Sequence, residues 1–204
     1  MRSHGYLEHL LGSKVAIRIV RTLVRYQGKV FTVRKLAEAA SVSSSEAALV
    51  VQELEKYGIL GIQPVGKSYI LSLNHKSYVL NRVLKPLIDA EQNTLDELVA
   101  VLKRQFDKEH EIISAALFGS VAMKNEREDS DIDLLVVSND FDAASRLAAK
   151  AKEQVSLVFN GRLSPLIMAE RDLKAKKEDR LVRAILAGYI TVAGRDITEV
   201  IAGR

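Results

Sequence analysis

Two aspartates separated by one residue, Asp131 and Asp133, are the first candidates for chemistry in the sequence. Ile132 between them and the apolar run at 134–137 predict a buried strand. Residues i and i+2 on a strand point to the same side, so the two carboxylates are presented together. Like charges held this close repel each other unless a cation lies between them, and Mg²⁺ prefers oxygen ligands of this kind. The pair therefore predicts a magnesium site with Asp131 and Asp133 as its ligands.

A Gly-Ser pair upstream could supply the other half of such a site. Gly119 and Ser120 end the apolar stretch at 112–118, which predicts a second buried strand. Gly119 has no Cβ, so its backbone can approach a ligand closely. Ser120 would open the next helix, and the N–H groups at a helix start favour a phosphate. One edge of the site would thus hold a triphosphate, while the aspartates hold the metal that bridges it.

The combined motif resembles that of the nucleotidyltransferase superfamily, which includes DNA polymerase beta, and is most similar to the minimal prokaryotic type. The family pattern is a hydrophobic residue, Gly-Ser, a spacer, and then two aspartates that alternate with hydrophobic residues. Here the spacer, 121–130, has ten residues, and the likeness extends over residues 95–195. It implies an α/β (α+β) nucleotidyltransferase fold, a small mixed sheet flanked by helices, that binds a nucleoside triphosphate (NTP) with Mg²⁺. The resemblance assigns catalysis and metal binding to Asp131 and Asp133, and nucleotide binding to Gly119, Ser120 and Ser130. Members often carry an Arg-Gly pair shortly after Gly-Ser, where this sequence has Met123 and Lys124, and Lys124 could still reach phosphates.

The sequence departs from the family at the third carboxylate, which members carry on the next strand. Alignment of that strand with residues 163–168 puts Ser164 in the third place, followed by Pro165. Glu170 would lie roughly 20 Å further along a strand that rises about 3.3 Å per residue, too far to substitute. Loss of one carboxylate removes charge stabilisation at the attacking oxygen. The sequence therefore leaves open whether the site is catalytic or only binds a nucleotide.

Charge and composition divide the chain of 204 residues into two parts. Residues 1–90 contain 13 Lys and Arg against 6 Asp and Glu, a balance of +7. Residues 91–204 contain 17 against 20, a balance of −3. This asymmetry favours two units, the first facing a polyanion and the second holding cations, although solvated surfaces alone could give the same numbers.

The sequence contains no cysteine, which excludes disulfides and thiolate metal sites. No apolar run approaches the roughly 18 residues of a membrane span, and no apolar signal segment follows the first residues. We therefore expect a cytoplasmic protein without a membrane partner.

Helical periodicity and turn residues predict the first unit. Helices are expected at 14–27, 32–40 and 43–57, and two strands at 59–62 and 68–73. Ser43 and Glu46 have the spacing of a capping box, and Gly58 ends the third helix. This order resembles a winged helix-turn-helix over residues 10–75, which implies DNA binding with the helix at 44–57 in the major groove.

The predicted DNA contacts are basic and hydroxyl side chains that could neutralise or bind phosphates. They are Arg34, Lys35, Ser44, Ser45 and Lys67. Glu46 at the start of the third helix would repel the DNA backbone. The alternative is a module for dimerisation or docking, which would make the protein a homodimer or part of a complex.

We therefore predict a winged helix-turn-helix domain at 1–80 and, at 81–204, a connector helix followed by the nucleotidyltransferase-like domain. The connector, 76–110, should be helical with a break near Pro86. Further helices are expected at 141–158 and 170–188, and a last short strand at 189–192. Pro165 favours an edge position for the strand at 163–168.

Two functions fit this architecture. The first is an enzyme that transfers a nucleoside monophosphate from an NTP to a protein or RNA hydroxyl. The second is a catalytically impaired regulator or antitoxin-like protein that binds DNA. For the second, the family resemblance implies a helical, toxin-like protein partner.

Overall fold

The computed structural model describes residues 7–66, 68–107, 109–127 and 129–203. The chain forms two compact units that divide between Gln92 and Asn93. Within the described ranges, no helix combines the length and the apolar character that crossing a membrane requires.

The first unit contains helices followed by a two-stranded hairpin, in the predicted order. The elements are α1 (Leu7–Leu11), α2 (Lys14–Arg25), α3 (Val33–Ala40), α4 (Ser44–Lys56), β1 (Leu60–Val65) and β2 (Ser68–Leu73), followed by a π-helical turn (Leu80–Leu84) and α5 (Lys85–Gln92). The strands pair antiparallel, from Leu60 opposite Leu73 to Val65 opposite Ser68. The apolar faces of α2, α3 and α4 meet in one core, in which Ile19, Leu36 and Ala47 are fully buried. Burial of these faces, rather than intrinsic propensity, is what stabilises helices of this length.

Side-chain caps begin the helices of this unit, and the capping box predicted at Ser43 and Glu46 is one of them. The Ser43 hydroxyl accepts the Glu46 N–H at 3.3 Å, and the Glu46 carboxylate accepts the Ser43 N–H at 3.2 Å, which completes the capping box. Thr32 caps α3 by accepting the Lys35 N–H at 3.3 Å. Gly58, just after α4, has φ +67°, the left-handed conformation that favours glycine at this position.

The connector differs from the prediction. The break lies at Asn93, between α5 and α6 (Thr94–Phe106), whereas Pro86 lies inside a continuous helical segment. In the π-helical turn before it, the Lys85 N–H reaches back to the Leu80 carbonyl. Proline offers no N–H and crowds the carbonyl four residues earlier, so a widened turn before it accommodates the ring. The segment packs its buried Leu80, Leu84 and Ile88 in the core of the first unit, which places the division at 92/93 rather than at 80/81.

The second unit is a four-stranded sheet between two layers of helices. Its elements are α6 (Thr94–Phe106), β3 (Ile112–Phe118), α7 (Gly119–Ala122), β4 (Ile132–Ser138), α8 (Phe141–Phe159), β5 (Leu163–Met168), α9 (Glu170–Ala175), α10 (Arg180–Ala187), β6 (Tyr189–Gly194) and α11 (Ile197–Ala202). The strand order is β5-β4-β3-β6. β3 pairs antiparallel with β4 and β6, and β4 pairs parallel with β5, so the sheet is mixed as predicted. β5, which carries Pro165, is at the edge of the sheet, where a missing N–H costs no ladder bond on the open side.

The two faces of this sheet bury different sets of side chains. α6 and α8 cover one face, in contact with Leu134 and Val136 of β4. α9, α10 and α11 cover the other face, in contact with Leu135 and Val137. The helix predicted at 170–188 is two helices, because Asp179 starts a new one by accepting the Leu181 N–H at 2.8 Å. These layers fix the start of β4 with one face in the core and the other beside solvent.

Candidate functional site

Pairing between strands brings a row of side chains together where β4 begins. Asp133 is paired with Phe118 of β3 on one side and with Ser164 of β5 on the other. Directly paired residues have their side chains on the same face of a sheet. The next pair along the same face, Leu135 and Leu166, lies in the core beneath α9, α10 and α11. Asp133 and Ser164 are therefore neighbours on that face, at the end where the core gives way to solvent.

Gly119 brings the main chain against the Asp133 carboxylate. Its φ is +72°, a conformation that residues with a Cβ rarely adopt. A Cβ at this position would overlap Asp133 Oδ2 and lie 3.3 Å from its Cγ. Gly119 also begins the short helix α7, whose start has no side-chain cap. The close approach in this structure is to the Asp133 side chain, whereas the predicted approach of the Gly119 backbone to a ligand stays a prediction.

The two aspartates differ in their surroundings. Asp131 precedes β4, and its carboxylate accepts a hydrogen bond from Arg162 Nε in an ion pair. Asp133 lies further into the sheet, and burial, together with the negative charge of Asp131, raises the pKa of its carboxyl above the ordinary value. A carboxylate that is disfavoured for both reasons is one that a bound cation would stabilise. Two hard oxygen donors beside the Gly119 backbone fit a Mg²⁺ ion that shares its coordination with phosphates and water.

The third place of the family site is occupied by a hydroxyl. Ser164 is exposed and paired with Asp133, where alignment of the strand placed it. Glu170 follows the far end of β5, where it accepts from Lys174 Nζ at 2.8 Å and from Arg195 at 3.3 Å. These bonds, the one from Lys174 first, lower the pKa of the Glu170 carboxyl. Within the described ranges, which omit Glu128, no group of three or more Asp, Glu or His side chains could hold a metal ion together.

The remaining predicted nucleotide contacts lie in the loop between α7 and β4. Lys124 is exposed and has a left-handed φ of +55°. Ser130 closes a turn before Asp131, since its hydroxyl accepts the Arg127 N–H at 2.8 Å and its own N–H donates to the Arg127 carbonyl at 2.9 Å. The Ser120 carbonyl accepts the Asn125 N–H at 3.0 Å, which ties α7 to the same loop. The loop is thus built around Ser120 and Ser130, with Lys124 directed to solvent.

Sequence reasoning missed Arg162. It lies 31 positions from Asp131, and a lone arginine before an apolar strand carries no recognisable signal. The contact arises because β5 lies parallel to β4, with the Ile132 N–H donating to the Arg162 carbonyl at 2.9 Å. The one available hint was its position immediately before the strand aligned with the third carboxylate.

In the first unit, the predicted DNA contacts lie at two helix starts. Arg34 and Lys35 are exposed in the first turn of α3, and Ser44 and Ser45 are exposed in the first turn of α4. Lys67 lies outside the described residues. The objection raised by Glu46 is weaker than expected, because its carboxylate is engaged by the N–H and the hydroxyl of Ser43.

The outward face of α4 continues from Ser45, one of the predicted contacts, along a helical stripe of side chains that were not predicted to bind DNA. They are Leu49, Gln52 and Lys56, which follow Ser45 at spacings of four, three and four and are all exposed. Leu49 has 68% of its surface exposed, and a single exposed leucine of this kind is common on protein surfaces.

Comparison with solved structures gives limited similarity. A crystal structure of a toxin–antitoxin complex with AMP-PNP has a TM-score of 0.37 at 14% identity, covering 53% of this chain and 82% of that chain. The archaeal chromatin protein TrmBL2 has a TM-score of 0.29 at 17% identity, covering 89% of this chain and 76% of that chain. At these scores the similarities support no functional argument.

Sequence comparison is more informative. The family described as Polymerase beta, Nucleotidyltransferase matches residues 101–185, which contain both the Gly-Ser pair and the two aspartates. The chain is 34% identical over 108 residues to "Putative protein adenylyltransferase MJ1305" of Methanocaldococcus jannaschii, an alignment that covers 51% of this chain and 72% of that protein. On this identity and coverage, and with the site segments inside the matched region, the chain belongs to the polymerase beta nucleotidyltransferase family.

Proposed function

We propose that the second unit binds a nucleoside triphosphate with Mg²⁺ and transfers its nucleoside monophosphate to a hydroxyl group of a protein. The observation that carries this proposal is the approach of the Gly119 backbone to the Asp133 carboxylate, beside Asp131. Phosphate oxygens would lie at the Gly119 backbone and a cation at the two carboxylates. The protein adenylyltransferase activity named for the relative in Methanocaldococcus jannaschii makes ATP the first donor to test and a protein the first acceptor. An RNA hydroxyl is the second acceptor class.

In this reaction the acceptor hydroxyl oxygen forms a bond to the α-phosphorus of the NTP. The bond between that phosphorus and the oxygen bridging to the β-phosphorus breaks, and pyrophosphate leaves. The hydroxyl proton passes to water, which reaches the exposed Ser164 position beside Asp133. Positioning and charge stabilisation are most of what such a transfer requires from a protein.

Each residue of the site has a separate role in this proposal. Asp131 and Asp133 would hold Mg²⁺, which neutralises charge on the triphosphate and on the leaving pyrophosphate. Gly119 and Ser120 would offer backbone N–H groups to phosphate oxygens, and Lys124 would add a positive charge from the loop. Ser130 orients the turn that leads into Asp131 through its bonds with Arg127.

The test is transfer of label from α-labelled ATP, CTP, GTP and UTP to candidate protein and RNA acceptors, with the wild type and with Asp131→Asn. We expect label on an acceptor with the wild type and none with the variant. The matched control is Asp179→Asn, an aspartate at a helix start that has no part in the site. Absence of any Asp131-dependent label would refute the transfer reaction.

A second function is favoured by Ser164, whose hydroxyl aligns with the third carboxylate of the family. With Ser164 beside Asp133, the site could bind a nucleotide with Mg²⁺ and turn over slowly, as in a regulator that senses the nucleotide. We propose for this case that the first unit is a winged helix-turn-helix that binds DNA through α4. Its support is the order of helices and hairpin, and the exposed Arg34, Lys35, Ser44 and Ser45. A homodimer and a helical, toxin-like partner remain predictions.

DNA binding is tested by exchanging Arg34 and Lys35 together for glutamine. Each phosphate contact contributes about one unit to the slope of log affinity against log salt, so the slope should fall by about two. The control is Arg25→Gln with Lys29→Gln, two exposed basic residues at the last position of α2 and in the loop after it that were not predicted to contact DNA. Unchanged binding in the Arg34/Lys35 variant would exclude this placement on DNA.

A further inference from the structure

We propose that Arg162 is a switch residue of the nucleotide site. It pairs with Asp131 before the metal and nucleotide bind, and turns to the triphosphate when they do. This inference rests on the proposed nucleotide–metal site, and concerns an arginine outside both sequence motifs. Its consequence is that a divalent cation alone binds weakly, and that cation and nucleotide bind together.

The backbone of Arg162 is fixed beside the site. Its carbonyl accepts the Ile132 N–H at 2.9 Å, and the next residue, Leu163, is paired with Ile132 and buried. On the other side, Gly161 packs so closely that a Cβ would lie 2.7 Å from Ile132 Cδ1. A change of partner by Arg162 therefore involves its side chain alone.

The guanidinium and a divalent cation require the same carboxylate. Arg162 Nε donates to Asp131 Oδ1, so a cation at Asp131 meets a positive charge already in place. Because Ser164 replaces the third carboxylate, the site has two negative groups, Asp131 and Asp133, and one positive group, Arg162. The excess of a single negative group attracts a bare divalent cation only weakly, because Arg162 offsets the attraction of one of the two aspartates.

The pair can also be broken at low cost. The Arg162 side chain has 72% of its surface exposed and the Asp131 side chain has 37%. Ion pairs between groups this exposed contribute little to stability, because water screens them and competes for their hydrogen bonds. Such a pair can occupy a carboxylate and still yield it to a stronger ligand.

A triphosphate offers Arg162 a better partner. The planar guanidinium matches two phosphate oxygens in a bidentate arrangement, and such charge-assisted bonds are among the strongest in proteins. Because the side chain already reaches Asp131, it also reaches phosphates that share a cation with Asp131. Nucleotide binding thus removes the competitor from Asp131 and gives Arg162 a new contact.

The experiment compares wild type, Arg162→Ala and Arg162→Gln by titration with Mn²⁺ alone and with Mn²⁺ plus a non-hydrolysable ATP analogue. For both variants we expect Mn²⁺ alone to bind about two- to fivefold more tightly, the amount an exposed ion pair can supply. The analogue with Mn²⁺ should bind about tenfold or more weakly, as a charged hydrogen-bond donor to phosphate is lost. The matched control is Arg171→Ala, an arginine 88% exposed and paired with Asp172 at 3.5 Å. It should change neither affinity.

Opposite shifts of the two affinities establish the switch, since a structural defect would weaken both. Unchanged or weaker Mn²⁺ binding, or unchanged nucleotide binding, in both Arg162 variants overturns it. The proposed function fails separately. If the opposite shifts occur but no acceptor is labelled, the switch stands and the transfer reaction does not. If neither the wild type nor the variants bind the analogue with Mn²⁺, both proposals fail.

Discussion

Exchange of Gly119 for alanine would separate the two requirements that the site places on this residue. The first is conformational, because φ at Gly119 is +72°. An L residue in the left-handed region costs about 1–2 kcal/mol. The second is steric, because the new Cβ would overlap Asp133 Oδ2 and lie 3.3 Å from its Cγ.

These two requirements have different consequences. The overlapping atom is the end of a side chain that can rotate, so relief of the overlap adds little to the loss of stability. Rotation of Asp133, however, moves one of the two carboxylates away from the metal position. We therefore expect Gly119→Ala to lose about 1–2 kcal/mol of unfolding free energy and at least about tenfold in Mn²⁺–nucleotide affinity, the range seen when a metal ligand is misoriented.

Gly203→Ala is the matched control in the same unit. Gly203 follows α11 with φ +73°, and a new Cβ there would lie 3.8 Å from Lys174 Nζ, an ordinary van der Waals distance. It should lose the same 1–2 kcal/mol or so in urea unfolding without change in titrations of Mn²⁺ with the ATP analogue. Equal affinities for the wild type and Gly119→Ala would refute the proposed role of this glycine in orienting Asp133.

Three further predictions follow from neighbouring groups. Ser164→Asp places a carboxylate beside Asp133, so it should increase both the affinity for Mn²⁺ and the rate at which acceptors are labelled. A labelling rate no higher than that of the wild type would show that Ser164 is not the reason for the slow turnover proposed for the regulator. The raised pKa of Asp133 means that its ionisation destabilises the fold, with no effect below the ordinary pKa of 3.8 and the full effect above the folded-state pKa. Asp133→Asn should therefore raise the urea midpoint at pH 7, although it should abolish metal binding. The difference in urea midpoint between the variant and the wild type should vanish below pH 3.8. Asp196 caps α11, and hydrogen bonds from Thr198 and Tyr189 lower its pKa from 3.8 to about 2. Asp196→Ala should cost about 1–2 kcal/mol at pH 7, and the difference from wild type should shrink as pH falls from 3.8 towards 2; a constant difference would contradict the ionic role of this cap.

Much of the local structure was predictable because short-range patterns report local geometry. The capping box of Ser43 and Glu46 is present as expected, and so is the buried strand, which begins at Ile132 directly after Asp131. The connector was predicted wrongly at Pro86, since a preceding π-helical turn lets a proline remain inside a helical segment. The spacing of apolar residues in the sequence does not distinguish a helical segment that accommodates a proline from one that ends there.

The division of helices into units also depended on packing. The helical segment 80–92 carries apolar residues at a spacing that any core could bury, and Leu80, Leu84 and Ile88 lie in the core of the first unit. Amphipathic periodicity tells which face of a helix is buried, but not which neighbour buries it.

The family motif could be identified from the sequence alone, and its chemistry could be predicted from a glycine after one apolar stretch and two aspartates around Ile132 at the start of another. The side chains that face the two aspartates could be identified only from the packing of the strands. Ser164 lies beside Asp133, and Arg162 pairs with Asp131, because α8 returns the chain so that β5 lies parallel to β4 in one register. The physical reason is that residues two apart are related by the geometry of a single strand, whereas residues 31 apart meet only when two strands and a helix bury their apolar faces together.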